Sequence, residues 1–132
     1  MYFTDSRTYD AVPQVVGAGG VTAGDMVVRA GTAIVRAANA PAADTIVGIA
    51  NETVAQGGVC QVTRLESRRI RANYTGIVKT FLVPADIGVC FDLSTAQLVD
   101  LDDIVGGPCM CVGYDNLAGT IEFIVPESFK YC

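Results

Sequence analysis

The chain has 132 residues, about half of them apolar and 17% charged, and a net charge of −5. That length supports one domain with a real core and is short for two, and the apolar content excludes a disordered chain. The acidic balance argues against nucleic acid as a partner, because phosphates call for clustered Lys and Arg. No apolar run reaches the roughly 18 residues of a membrane helix.

Fourteen glycines and no Trp point to a core of Val, Ile, Leu and Ala on many short strands joined by tight turns. Residues 1–16 mix Tyr2, Phe3, Tyr9 and Val12 with polar groups and lack a helical period. Pro13 speaks against a central strand, so an extended N-terminal arm is expected, with its aromatics as interface anchors. Its removal (residues 1–14) should leave the fold intact. Gly17, Gly19 and Gly20 read as a hinge between arm and body.

Ala23-Gly24-Asp25 is a turn in which Gly24 takes positive φ and Asp25 caps a backbone N–H. Residues 26–29 and 33–37 then form a hairpin. Pro41 and the absence of an i, i+3, i+4 stripe argue against a helix in the Ala-rich stretch that follows. The segment 45–63 reads as strand, polar turn, Gly-Gly and strand. Arg64, Arg68, Arg69 and Arg71 form the one basic cluster; a salt-bridged strand face is the plainer reading, and contact with an acidic partner the other.

Residues 73–76 look like a turn and 77–83 like a strand. Pro84 opens a loop with room for one short helical turn. Strands are expected at 88–92 and 97–100, with a turn at 93–96. A final pair follows, around 111–113 and 120–125. Aligning residues 26–28, 34–35, 47–48 and 60–62 with 89–91, 98–99, 112–113 and 123–125 gives offsets of 61 to 65 residues. The chain therefore reads as two related β-meanders, about 21–63 and 84–125. Each has a face that only the other can cover. The predicted fold is all-β: a single compact barrel- or sandwich-like domain over residues 17–132, preceded by the arm.

The absence of His removes Ser-His-Asp and Cys-His nucleophile systems. Cys109 and Cys111 share one strand face and no C-x-x-C occurs, so core thiols are favoured over a metal site. The five cysteines follow an N-terminus with no basic-then-apolar signal pattern. Free thiols in a reducing cytosol are the expectation. Asp100, Asp102, Asp103 and Asp115 lack EF-hand spacing and read as solvated loop acids. No cofactor, metal or catalytic residue is predicted, and the chain is not read as an enzyme.

The Ala23-Gly24-Asp25 turn, the short hairpin, Val47-Gly48-Ile49-Ala50 with its polar turn, and the Gly-led strand Val59-Cys60-Gln61-Val62 carry a resemblance. Over residues 21–125 the chain resembles small tailed-phage capsid decoration (cement) proteins. It departs from them in its five cysteines and its long aromatic arm. The resemblance implies a non-enzymatic virion protein on the capsid exterior, assembled in the host cytoplasm. It also implies self-association, a trimer above all, and binding that staples neighbouring major capsid protein subunits. Tyr2, Phe3, Tyr9, Val12, Arg68, Arg69 and Arg71 are the candidate interaction residues. Two alternatives stay open: another virion component, such as a head-fibre base or tail subunit, and a small β-barrel ligand-binding domain with a site in loops 39–44 and 100–107.

Overall fold

The structure, a computed structural model, describes residues 1–4, 11–39, 41–42, 45–65, 68–105 and 107–126. The described strands are β1 (Tyr2–Phe3), β2 (Ala11–Val15), β3 (Met26–Ala30), β4 (Ala33–Arg36), β5 (Ile46–Ala50) and β6 (Val59–Arg64). They continue as β7 (Ile70–Thr75), β8 (Cys90–Thr95), β9 (Leu98–Asp100), β10 (Cys109–Asp115) and β11 (Thr120–Ile124). A short 3-10 turn, Pro84–Asp86, begins at the proline as anticipated. The all-β expectation holds.

One sheet runs β2-β6-β5-β3-β4, and a parallel bridge from Val16, just past β2, to Ile34 in β4 joins its two ends. The other runs β7-β11-β10-β8-β9, and β9 pairs parallel with β7 to close it. Strand order is the same in both. Each half is a five-stranded barrel of one topology, and β1 adds to β7 at Arg71 and Ile70.

The pairings fix which residues are equivalent. The turns after Ala30 and Thr95 are both two residues long, so Ile34 matches Val99. The parallel bridges then match Val16 to Tyr74, and the neighbouring ladders match Cys60 to Ile121 and Val62 to Phe123. The alignment read from sequence is therefore shifted by one or a few residues. It also omits the first strand of each copy, which makes the repeats 11–64 and 70–124.

Val16, Val21, Val27, Ile34, Ala50, Cys60 and Val62 fill the first barrel. A larger cluster fills the second, including Ile70, Phe91, Leu93, Val99, Ile121 and Phe123, and it reaches across the seam to Met26, Ala37 and Ile49. Met26 donates its N–H to Ala96 O at 2.8 Å, and Gln97 Nε2 donates to Asp25 Oδ1 at 2.8 Å. The two barrels thus form one compact domain.

Asp25 is fully buried. Its carboxylate accepts from Thr22 N–H at 2.7 Å and pairs with Arg36 Nε at 2.8 Å. Asp86 repeats the device: it accepts from Val83 N–H at 2.8 Å and pairs with Lys79 Nζ at 3.0 Å. In both halves a carboxylate that closes a turn gains a cation, which offsets the cost of its burial.

Several expectations are corrected. Residues 11–15 of the supposed arm are a barrel strand. Even-numbered N–H groups of this segment face β6 (Val16 N–H to Gly58 O), whereas Gly17 N–H turns to Ile34 O. The missing N–H of Pro13 therefore faces the edge that β4 reaches only at Val16, where it costs no ladder bond. Gly17 is part of that closure, so the glycine stretch is no hinge. Residues 73–75 lie in β7, and β8 runs on to Thr95, which moves the turn to residues 96–97.

Segment 77–83 contains no strand. The neighbours of β7 are already β11 on one side and β1 and β9 on the other, so a following hairpin strand has no edge to join. Cys60, Cys109 and Cys111 are buried free thiols, but Cys90 is disulfide-bonded, against the free-thiol expectation. A disulfide depends on proximity in space, which sequence spacing does not report.

Candidate interaction surface

At the end of the second barrel where β7, β9 and β10 finish, three loops display large apolar side chains. Ile77 and Val78 are 92% and 91% exposed, and Phe81, Ile104, Val105 and Leu117 are exposed with them. The display has a rigid base. Asp102 accepts the N–H groups of Ile77, Val78 and Lys79, at 2.6, 3.1 and 2.8 Å, which bends residues 77–79 around one carboxylate. These bonds to the ionised form, led by Lys79 and Ile77, hold the Asp102 carboxyl below its usual range.

Asn116 ties the third loop to the first. Its Oδ1 accepts from Leu82 N–H at 2.9 Å and Tyr74 O–H at 2.7 Å, and its Nδ2 donates to Leu82 O at 2.7 Å. Backbone N–H groups that a strand would pair with a neighbour are thus satisfied by side chains. Ile77, Val78 and Phe81 are left pointing at solvent, while Leu82 between them and the 3-10 turn is buried. An apolar display on loops pinned in this way suits a protein partner, because little ordering entropy remains to be lost on binding.

The loop acids have local roles. Asp100 caps Asp102 N–H at 2.9 Å, Asp103 caps Val105 N–H at 3.1 Å, and Asp115 caps Leu117 and Ala118 N–H at 3.0 and 3.2 Å. In the core, burial raises the thiols of Cys60, Cys109 and Cys111, so all three are held as unreactive thiols.

The fold brings together five of the seven interaction residues expected from sequence. Tyr2 pairs with Arg71 and Phe3 with Ile70, and the Arg68 guanidinium carbon lies 3.8 Å from the Phe3 ring centroid. Glu122 receives Arg69 at 3.5 Å, Arg71 at 3.2 Å and the Thr4 hydroxyl at 3.1 Å. Burial alone would raise the Glu122 carboxyl; bonds from Arg71, Thr4 and Arg69 outweigh it and leave the group below its usual range. Two of the four arginines of the basic cluster, Arg69 and Arg71, are therefore salt-bridged to Glu122, which agrees with the plainer of the two readings. Val12 lies elsewhere, half-buried opposite Val62, and Tyr9 falls outside the described residues.

Sequence reasoning missed Ile77, Val78 and Phe81 as surface groups. Their alternation reads as a strand, and the carboxylate that bends residues 77–79 is more than twenty residues away. No model of a known protein family matches the chain, and no curated protein matches it significantly.

Proposed function

We propose that this chain is a non-enzymatic virion structural protein that binds and stabilises the outer surface of an assembled phage capsid. The observation that carries the reading is the apolar three-loop display on a closed β scaffold. Closed barrels leave few free strand edges, so association has to run through side chains on loops. Many copies on a repeating lattice make a modest single contact sufficient. The Ala23-Gly24-Asp25 turn and its buried carboxylate fit the resemblance noted above. The partners in this reading are the major capsid protein and other copies of the chain, as a trimer.

The test is co-sedimentation with mature shells of the phage that encodes the chain, beside absolute mass by light scattering under reducing conditions. Wild type should saturate the shells at a fixed stoichiometry. Ile77→Asp with Val78→Asp, at two exposed positions, should keep its thermal unfolding midpoint and lose at least about tenfold in shell affinity. Absence of saturable binding by the wild type, or equal binding by the double variant, overturns the reading.

A further inference from the structure

We propose that the open end of the first barrel binds a small organic anion, with its carboxylate or phosphate held between Arg29 and Arg64. A depression of about 390 Å³ lies there, lined by Gln14, Arg29, Thr45, Ile46, Val47, Arg64 and Leu65. Strand alternation shows why it is cationic. Cys60 and Val62 point into the first barrel, so Arg64, two residues further on, continues the same face. In the same way Arg29 follows Val27 and Gln14 precedes Val16. Gln14, Arg29 and Arg64 thus follow the barrel-facing side of three different strands out to its rim, where Gln14 is half-buried and both arginines are exposed.

The second barrel supplies an internal control. By the pairings above, Arg29 is equivalent to Leu93, Gln14 to Ala72 and Arg64 to Val125. Leu93, Ala72 and Val125 are all buried in the main apolar cluster. One topology therefore closes its second barrel with hydrocarbon and leaves two guanidinium groups and an amide at the same positions of its first. Barrel closure does not require them there.

Arg29 Nη2 donates to Gln14 Oε1 at 3.3 Å, and among the described residues neither Arg29 nor Arg64 is paired with a carboxylate. Two guanidinium forks on an acidic chain form a local site for an oxyanion. Thr45 offers a hydroxyl, while Ile46, Val47 and Leu65 give an apolar wall, so the ligand carries a short hydrocarbon part. Barrel mouths are recurrent places for small-molecule sites. This inference is independent of the capsid reading, since its residues lie on the first barrel and the loop display on the second.

The experiment is an NMR titration of the whole chain with butyrate, succinate and phenyl phosphate, with chloride and inorganic phosphate as charge-only controls. An organic anion should produce saturable shifts at the Arg29 and Arg64 Nε–H groups and at the amides of Thr45, Ile46 and Val47. The first two probes against the third distinguish a carboxylate from a phosphate ester. Arg29→Leu with Arg64→Val installs the residues that the second barrel carries, so the fold should persist and affinity should fall at least about tenfold. Arg64→Lys, which retains charge and loses the fork, should fall between them. Linear, unsaturable shifts with all three organic probes, shifts matched by the inorganic controls, or unchanged affinity in the double variant would each overturn the site.

Discussion

Single carboxylates set the local geometry of this protein. Asp25 and Asp86 each close a turn with a backbone N–H and take a cation in return. The turn at Asp25 was legible, because a glycine free to take positive φ stands beside an aspartate able to cap a backbone N–H. Its partner Gln97 was not, being 72 residues away. Asp102 yields a prediction with a definite sign. Its folded carboxyl is held low by the amides of Lys79, Ile77 and Val78, so its support of the loop is complete above the ordinary aspartate range, about pH 3.9. That support is lost as pH falls through the lowered folded value. In an NMR pH titration, the amides of residues 77–79 should move together, with a midpoint below that of an unperturbed aspartate. A shared midpoint at or above the ordinary value would show that these bonds do not hold the loop.

At the level of elements, alternation located most strands, and errors fell where pairing partners decide. Residues 77–83 alternate as a strand should, yet no edge is open to them. Pro13 is a poor strand residue in general and costs nothing where its nitrogen faces an unpaired edge. The arm consequently divides in two. Tyr2 to Thr4 cover the edge of β7, whereas Ala11 to Val15 form a full ladder with β6 from Ala11↔Thr63 to Val15↔Val59. Deleting residues 1–4 should leave a cooperative thermal transition. Deleting residues 1–14 removes most of β2 and opens the first barrel, so that transition should broaden or vanish in circular dichroism. A sharp transition at the wild-type midpoint after the longer deletion would return β2 to the status of an arm.

At the scale of the molecule, duplication was visible in sequence as two meanders, but closure was not. The first strand of each copy, β2 or β7, meets its parallel partner, β4 or β9, across one intervening strand in the chain, and local pattern cannot report such a pairing. The copies then diverge in their filling. The second holds Phe91, Leu93 and Phe123, while the first has smaller side chains and borrows part of its burial from the seam. This asymmetry makes the seam a condition of stability for the first barrel. Met26 is the side chain to test, because it is fully buried and its strand holds Val27 in one cluster while Met26 itself belongs to the other. Met26→Ala should cost about 2–5 kcal/mol. If the barrels fold as one unit, urea transitions followed at Val27 and Cys60 amides and at Phe91 and Ile121 amides should shift to the same lower midpoint. Loss of first-barrel signals at lower urea, with second-barrel signals unmoved, would instead make the seam a contact between separately folding halves. Borrowed burial would then be the wrong account of how the smaller core is held.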